Sequence, residues 1–324
     1  MISPVLPAEL KAGLDSKLQG FSRTDAARRA QLISNAYRSG GNSGTIRSEA
    51  DALAYALARM PATYAAVAAS LNALVEIVPD LAPENLLDIG AGPGTASWAA
   101  AEAFPSLGAF MLIDANDALR RLALELASDT ARLRECRYLH GEARASLADA
   151  EPADLVIASY LIGELGESDR IALAEAMWAK TRQTLVAIEP GTSAGYQRII
   201  ALREQLIASG AYVAAPCPHE KPCPLVAPDW CHFSQRLPRS QAHRQLKEAE
   251  VPFEDEKFIY IALTRAPVRQ HRARVLAAPH IGKAEITAKL CTEDGLAATK
   301  VPRRDKAGYA TARRWRWGDA TEER

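Results

Sequence analysis

A glycine-rich turn is the first segment of the chain whose residue types could bind a ligand. Residues 86–95 read Leu-Leu-Asp-Ile-Gly-Ala-Gly-Pro-Gly-Thr. Gly90, Gly92 and Gly94 lack a Cβ, so the backbone can turn tightly and approach a ligand closely. The helical pattern that begins after the turn offers unpaired amides and the positive end of a helix dipole. This arrangement predicts a nucleotide-type site.

A carboxylate follows the next apolar run and strengthens this prediction. Asp114 comes directly after the run Ala109–Ile113, and an acid in this position suits the paired hydroxyls of a ribose. The alternative is a glycine turn that only packs a strand against a helix. The sequence favours ligand binding because the turn follows a strand, precedes a helix and is accompanied by this acid.

Three of the five cysteines of the chain fall within 15 residues. They lie in residues 211–240, which also contain six prolines and two histidines. The candidate metal-binding thiols are these three and a fourth further along the chain: Cys217, Cys223, Cys231 and Cys291. Four thiolates suit either a zinc ion or an iron–sulfur cluster.

The spacing of these cysteines leaves both metals open. Paired C-x₂-C knuckles, the usual structural zinc signature, are absent, and wide spacing with flanking prolines fits a larger inorganic core better. His219 or His232 could replace one cysteine in a zinc site. The alternative of small buried residues without a metal is disfavoured in so polar a stretch. Cys136 stands apart and is expected to be an ordinary buried thiol.

The last part of the chain is basic. Residues 265–324 contain 14 Lys and Arg but only seven Asp and Glu, whereas the whole chain has 39 of each. The aromatic residues Tyr309, Trp315 and Trp317 are interleaved with arginines. Cations contact phosphate and aromatic faces stack on unpaired bases, so this pattern favours RNA as a partner. A solvated basic surface or a packing arm is the alternative.

The elements that must position these residues change along the chain. Residues 1–80 have apolar positions at helical spacing, with a break at residues 40–44, and Pro61 is expected to open or kink a helix. From residue 84 short apolar runs alternate with helical patterns, which predicts a parallel sheet with right-handed crossovers. The predicted strands are residues 86–89, 109–113, 137–140, 154–159 and 184–188, and the predicted helices are residues 95–104, 118–128 and 170–181.

The remainder of the chain contains fewer clear elements. Residues 211–240 are expected to form a loop or insertion, Lys257–Leu263 a further strand of the sheet, and residues 272–302 short β segments with a hairpin turn at residues 293–295. We therefore divide the chain into a helical region (1–80), a nucleotide-binding domain (81–210), a cysteine-rich insertion (211–250) and a segment with the last strands and a basic extension (251–324).

The bulk composition is that of an ordinary globular protein. The chain has 324 residues, 48% of them hydrophobic and 24% charged, which suits one large domain or two smaller ones. No apolar run approaches the roughly 20 residues that span a bilayer, and residues 1–10 show no signal-peptide pattern. We expect a cytoplasmic monomer with no membrane partner.

The glycine turn resembles the first motif of class I S-adenosylmethionine-dependent methyltransferases. The resemblance implies an α/β chain with a Rossmann-like sheet. It also implies that the three glycines pass under the methionine and ribose parts of the cofactor. Asp88 would help hold the amino end, Asp114 would bind the ribose hydroxyls, and Glu142 falls where that class often contacts adenine.

The chain as a whole resembles the methyltransferase-like assembly factors of the small ribosomal subunit best known from mitochondria, in a bacterial version. The matching text is residues 59–64, 88–95, 188–192 and 233–236, together with the cysteine block. The resemblance implies an S-adenosylmethionine site, a four-iron four-sulfur cluster on the four cysteines named above, and binding to small-subunit ribosomal RNA. It further implies a role in ribosome maturation or translation.

Whether the chain transfers methyl groups is open from its sequence. Residues 158–164 lack the Asn/Asp-Pro-Pro-aromatic signature of amine-methylating enzymes, and no cysteine stands where a pyrimidine-methylating enzyme holds its nucleophile. Tyr160 and Glu164 lie near the expected pocket, but no residue is assigned a catalytic role. The rival hypotheses are a small-molecule methyltransferase with a zinc-stapled lid and an inactive RNA-binding assembly factor.

Overall fold

Two β-sheets and nine helices make up the described part of the chain in a computed structural model, which covers residues 1–239, 243–244 and 250–322. The strands of the large sheet are β1 (Asn85–Ile89), β2 (Ala109–Asp114), β3 (Arg137–His140), β4 (Ala153–Ser159), β5 (Thr181–Pro190), β6 (Tyr212–Ala215), β7 (Phe233–Pro238) and β8 (Phe253–Thr264). The small sheet contains β9 (Ala273–Val275), β10 (His280–Ile281), β11 (Glu285–Thr292), β12 (Gly295–Pro302) and β13 (Ala320–Thr321).

The helices precede, connect or follow the strands of the large sheet in the chain. They are α1 (Ala8–Leu18), α2 (Arg23–Arg38), α3 (Glu49–Ile77), α4 (Thr95–Ala103), α5 (Asp117–Ser128), α6 (Ala143–Asp149), α7 (Glu167–Ala179), α8 (Ser193–Ala208) and α9 (Lys306–Ala312). Short 3₁₀ turns occupy Ser43–Thr45 and Ile162–Glu164.

The strand order of the large sheet is β3-β2-β1-β4-β5-β8-β6. Strands β1 to β5 are parallel, whereas β8 runs antiparallel to both β5 and β6. The first half of β8 also pairs with β7. A parallel sheet whose order reverses beside β1, with one antiparallel strand near its edge, is the Rossmann-like sheet of class I methyltransferases. The predicted fold class is confirmed.

Helix α3 does not begin at Pro61, one of the two alternatives predicted for this proline. The helix begins after a capping box between Ser48 and Asp51 and runs through Pro61 to Ile77. Proline removes one backbone hydrogen bond, but α3 is buried on both sides of it and packs against α2, α4 and β8. Among the described helices, α3 alone has the length and hydropathy of a membrane span, and 61% of that window is buried. Its position is that of a core helix.

The cysteine-rich stretch, predicted to be a loop or a structured insertion, contains two strands. Strands β6 and β7 both pair with β8, so they extend the sheet on either side of the cysteines. Strand β6 has only four residues, too few to give a readable alternation, and both strands are fixed by pairing with a partner distant in the chain. The predicted end of the insertion, at residues 240–250, lies largely outside the described residues.

The small sheet has its own hydrophobic core, separate from that of the large sheet. We call residues 273–322, which contain this sheet and α9, the C-terminal module. Val275, Ile286, Leu290 and Trp315 are among its buried residues. The predicted hairpin turn is confirmed, because β11 and β12 pair up to Thr292 and Gly295. By contrast, the core of the large sheet is continuous with that of the N-terminal helices, from Leu10 onward.

Candidate cofactor pocket and cysteine cavity

The glycine turn after β1 has a backbone conformation that requires glycine. Gly90, Gly92 and Gly94 have φ angles of +67°, +52° and +80°. A Cβ on Gly90 would lie 2.8 Å from Cδ1 of Leu161, which packs against the turn. Gly94 caps α4, so the free amides of that helix face the turn. The structure thus explains all three glycines.

A cavity of about 340 Å³ opens beside this turn, at the carboxyl ends of β1, β2 and β4. Four of the predicted ligand-binding residues line it: Gly90, Gly92, Asp114 and Glu142. Its volume lies in the range that suits a small-molecule ligand. Gly94 lies beside it at the start of α4. The predicted contacts of these residues with a cofactor remain predictions.

Asp114 is held in place by the turn itself. Its Oδ2 accepts a hydrogen bond from the Gly92 amide at 2.8 Å, and its Oδ1 accepts one from the Asn116 amide at 2.7 Å. Burial raises the pKa of Asp114, while these backbone donors favour its anionic form. The Tyr138 hydroxyl fixes the other side of the turn by donating to the Gly92 carbonyl at 2.6 Å. The cavity therefore presents a fixed carboxylate beside the glycine backbone.

Asp88 lies behind the turn and is fully buried. Its Oδ2 accepts from the amide and the hydroxyl of Ser97, at 3.0 and 2.7 Å, which ties the end of β1 to α4. Its Oδ1 is buried and has no hydrogen-bond partner among the described residues. The contact with the amino end of a cofactor stays a prediction, and the observed role of Asp88 is to hold the turn.

The burial of Asp88 makes the stability of the fold depend on pH. Burial raises its pKa to about 7 from an ordinary value of 3.8. Since the folded chain holds this proton more tightly than the unfolded chain, stability should fall as pH rises from about 4 to about 7. We expect Asp88→Asn to remove this dependence, which amounts to up to about 1.4 kcal/mol per pH unit.

Urea unfolding of both proteins at several pH values measures the difference. The exposed Asp80 provides the matched control, because Asp80→Asn should leave the slope unchanged. Parallel curves for the wild type and Asp88→Asn would show that Asp88 ionises normally.

The end of the cavity near β4 is formed by Tyr160 and Glu164, which the sequence places near the expected pocket, and by two tyrosines that it does not predict. Tyr37 and Tyr55 come from α2 and α3, and they line the cavity with Tyr160 and Glu164, which follow β4. Tyr160 has a φ of +59°, the single positive value for a non-glycine residue in the described part of the chain. Such strain is concentrated at functional sites. Tyr37 and Tyr55 had no local signal, since their helices resemble any buried amphipathic helix.

Residues 42–46, which we call the strap, cross the cavity between two sides of the glycine turn. On one side, the Asn116 side-chain amide donates to the carbonyls of Ser43 and Ile46, at 2.8 and 2.9 Å. On the other side, the Ser43 amide and hydroxyl donate to Glu164 Oε2, at 3.2 and 3.4 Å. Asn116 follows β2 and Glu164 follows β4, and β1 lies between these strands. The strap therefore passes over the turn.

Two buried ion pairs support the segment after β4 from behind. Glu189 is fully buried, and it accepts from Arg198 Nε at 2.8 Å and from the Gly163 amide at 3.3 Å. Glu256 accepts from Arg59 at 3.2 Å and from the Tyr160 hydroxyl at 2.8 Å. These contacts fix the backbone that carries Glu164 and the ring of Tyr160.

A second cavity is lined by all four candidate metal-binding cysteines: Cys217, Cys223, Cys231 and Cys291. The first three come from the segment between β6 and β7, and Cys291 comes from β11 of the C-terminal module. The Tyr196 hydroxyl lies 3.2 Å from the sulfur of Cys223, and His219 Nε2 lies 3.6 Å from that of Cys291. Cys136 is predicted to stand apart from these four cysteines. It lies directly before β3, the edge strand at the other end of the large sheet from β6.

Two arginines lie beside the four thiols, of which Cys291 is buried and the other three are partly buried. Burial, together with the neighbouring thiols, raises the pKa values of Cys217, Cys231 and Cys291, that of Cys291 to about 12. Arg203 and Arg274 also line the cavity, are almost fully buried, and favour the thiolate forms. Two buried cations beside four thiols are surroundings that would stabilise an anionic group.

The cysteines surround a cavity and do not converge on a point. Within residues 1–239, 243–244 and 250–322, no three His, Cys, Asp or Glu side chains are grouped as ligands of a single metal ion. His219 contacts Cys291, and the His232 ring instead stacks with Trp230 and lies edge-on to Trp317. This geometry disfavours His232 as a metal ligand.

Helix α8 connects the two cavities. Tyr196 contacts Cys223, and Arg198, two residues later, holds Glu189 behind the cofactor cavity. The Trp230 indole, next to Cys231, donates to the Gly191 carbonyl at 3.1 Å. The segment from Glu189 to Arg198 therefore contacts both sites.

The basic C-terminal module exposes its cations but not all its aromatic rings. The exposed cations include Arg303, Arg304, Lys306, Arg313, Arg314 and Arg316. Trp315 is in the core of the module, and Trp317 donates to the His232 carbonyl at 2.8 Å. The expectation that these tryptophans are available to stack on bases is therefore wrong for Trp315, whose ring packs inside the module.

The chain matches the sequence model of one protein family over residues 49–322, and that family is described as mitochondrial small ribosomal subunit Rsm22. It is similar to the human protein named ribosome assembly protein METTL17, mitochondrial, with 30% identity over 292 residues, covering 84% of this chain and 62% of that protein. It is also similar to Rsm22-cox11 tandem protein 2, mitochondrial, of Schizosaccharomyces pombe, with 24% identity, covering 82% of this chain and 42% of that protein.

The chain thus spans about three-fifths and two-fifths of the length of these relatives. A solved magnesium protoporphyrin IX methyltransferase from Synechocystis PCC 6803 is 11% identical and aligns over 72% of this chain and 95% of that chain, with a TM-score of 0.43. The fold assignment rests on strand order, and the family assignment rests on the match over residues 49–322. The chain belongs to the Rsm22 family of mitochondrial small ribosomal subunit proteins.

Proposed function

We propose that this chain is an S-adenosylmethionine-binding, methyltransferase-like protein that binds small-subunit ribosomal RNA during ribosome assembly or translation. The observation that carries the proposal is the cavity at the glycine turn, in a chain of the Rsm22 family. The names of its relatives refer to the small ribosomal subunit and to ribosome assembly. We place its action in the cytoplasm of a bacterial cell.

The order of residues along the cavity suits this cofactor. Glu142 follows β3, Asp114 ends β2, and Tyr160 follows β4, so these residues lie along one edge of the sheet in the order β3-β2-β1-β4. In our proposal, adenine lies near Glu142, the ribose hydroxyls bind Asp114, and the methionine part lies near Tyr160. Ligand binding at the carboxyl edge, where strand order reverses, is the general rule for such sheets.

We further propose that the four cysteines hold a four-iron four-sulfur cluster. The four thiols line one cavity, and the two buried arginines beside it suit the negative charge of such a cluster. Such a cluster would cross-link β11 of the C-terminal module to the segment between β6 and β7. Structural zinc is the competing assignment.

Metal and sulfide analysis of protein purified without oxygen separates the two assignments. A brown protein with iron and acid-labile sulfide in equal amounts supports the cluster. A colourless protein with one zinc per chain would overturn it.

RNA binding in this proposal is carried by the exposed cations of the C-terminal module. Because Trp315 is buried and Trp317 is engaged with His232, contacts with phosphate supply most of the affinity. Binding that depends on phosphate contacts is strongly sensitive to salt.

Removing three of these cations should therefore change the salt dependence of binding. For Arg313→Ala, Arg314→Ala and Arg316→Ala combined, we expect the slope of log K against log salt to become shallower by about 2 for single-stranded RNA. Filter binding to a small-subunit RNA fragment at several salt concentrations measures it. Alanine at Arg134, Arg137 and Arg182, three exposed arginines of the sheet domain, is the matched control. An unchanged slope in the first variant would place RNA elsewhere.

Methyl transfer is the part of the function that an assay must decide. A small-molecule methyltransferase would bind the cofactor but not an immature small subunit, and an inactive assembly factor would bind both without reaction. The experiment is transfer of labelled methyl from S-adenosylmethionine to immature small-subunit RNA, with RNA binding measured in parallel. A folded protein that neither transfers methyl groups nor binds this RNA would contradict the proposal.

A further inference from the structure

The end of the cofactor cavity near β4 combines aromatic rings with a carboxylate. Tyr37, Tyr55, Tyr160 and Glu164 line it. The ring centroids of Tyr37 and Tyr55 are 6.1 Å apart, with 32° between the ring planes. Aromatic faces attract cations through the ring quadrupole, most strongly where water is excluded. The residue types at this end are those of a site for a positive charge.

Glu164 is the carboxylate at this end that lacks a balancing charge. It is partly buried, and the donors it accepts from are neutral: the amide and hydroxyl of Ser43 bond its Oε2, and the Tyr37 hydroxyl bonds the carboxylate as well. No ion pair among the described residues includes Glu164, whereas Glu189 is paired with Arg198 and Glu256 with Arg59. A partly buried carboxylate without a cationic partner is stabilised when a cation enters the adjoining cavity.

The charged side chains that line the cavity are mostly negative, which also favours a positively charged ligand. Its lining includes four carboxylates, Asp114, Glu142, Glu164 and Asp169, but only one cationic side chain, Arg144. Arg144 belongs to α6, after β3, at the end of the cavity opposite Glu164. The one cationic lining residue therefore lies away from Glu164, while Arg59 lies behind the end near β4, 5.9 Å from the Tyr160 ring centroid and paired with Glu256.

We infer that Glu164, Tyr37 and Tyr55 form a sulfonium-selective subsite, which distinguishes S-adenosylmethionine from S-adenosylhomocysteine. The inference rests on the proposed function, in which the methionine part of the cofactor lies at this end. The two ligands share the nucleoside and the amino acid group, but the sulfur is positively charged in the first and neutral in the second. Specificity is the difference between their affinities, so a group that acts only on the sulfonium charge sets it.

Titration calorimetry of the purified full chain with each ligand tests the subsite. We expect the wild type to bind S-adenosylmethionine about tenfold more tightly than S-adenosylhomocysteine. In Glu164→Gln the ratio should fall toward one because affinity for S-adenosylmethionine falls, while affinity for S-adenosylhomocysteine stays the same. Glutamine keeps an acceptor for Ser43, so the strap contact survives. Tyr55→Leu, which keeps apolar bulk but removes the ring, should lower the ratio as well.

The control and the contrary results are distinct. Glu167→Gln removes the same charge from an exposed position three residues away, and it should leave both affinities unchanged. Equal affinities for the two ligands in the wild type would overturn the subsite while leaving the proposed cofactor cavity intact. Failure of the folded wild type to bind either ligand would overturn both proposals. A ratio that persists in Glu164→Gln and Tyr55→Leu would assign the selectivity to other residues.

Discussion

In the Cys291→Ser protein, iron and sulfide content should fall from about four atoms of each per chain to near zero, and the C-terminal module should loosen from the sheet domain. Cys291 is the one thiol of the cysteine cavity that belongs to the module. Removing it therefore removes the proposed covalent link between the two parts of the chain. The remaining contacts between the two parts include two hydrogen bonds. Arg274 donates to the Pro216 carbonyl at 2.8 Å, and Trp317 donates to the His232 carbonyl.

Limited proteolysis measures the loosening, because residues 266–272 join the last strand of the large sheet to β9. We expect cleavage in this segment to be at least about tenfold faster in Cys291→Ser, since proteolysis follows the population of the opened form. Cys136→Ser is the matched control, because this cysteine does not line the cavity. Full iron content in Cys291→Ser would remove this cysteine from the ligand set.

Gly90→Val should abolish cofactor binding and destabilise the fold. A β-branched residue at a φ of +67° is strained by about 1–2 kcal/mol. Its Cβ would also meet Leu161 at 2.8 Å, which adds overpacking of about 1–3 kcal/mol. We therefore expect the free energy of unfolding to fall by about 2–5 kcal/mol.

Urea unfolding and titration with S-adenosylmethionine measure the two effects separately. Gly108→Val is the control, because a Cβ at Gly108 meets nothing within 4 Å and this glycine lies at the opposite end of the neighbouring strand. A milder variant, Gly90→Ala, keeps the test valid if the valine variant does not fold. Normal binding by a folded Gly90→Ala or Gly90→Val protein would show that the ligand does not approach this turn.

The parts of the fold that depend on local pattern could be predicted from the sequence. Strands β1 to β5 and helices α4, α5 and α7 follow apolar runs and helical spacing, and their predicted bounds lie within about three residues of those observed. Strands β6 and β7 could not be predicted, because their pairing with β8 depends on residues far away in the chain. Pro61 does not open a helix, since α3 begins at Glu49 and is buried around this proline; a kink at Pro61 stays a prediction.

The candidate sites divide in a similar way. The glycine turn and the cysteines are recognisable because the chemistry demands those residue types at close spacing. Tyr37 and Tyr55 are ordinary residues of amphipathic helices, and only the folding of the N-terminal helices over the sheet brings them to the cavity. Trp315 shows the converse error, because an aromatic residue among arginines is here a core residue.

The strap has a consequence for how long a ligand stays bound. It is tied to Asn116 on one side of the glycine turn and to Glu164 on the other, so detachment of either end would widen the way out for a molecule beneath it. The residence time of the ligand would then depend on the opening rate of residues 42–46 as well as on the strength of its contacts. Exchange of spent ligand would thereby be coupled to a local unfolding event.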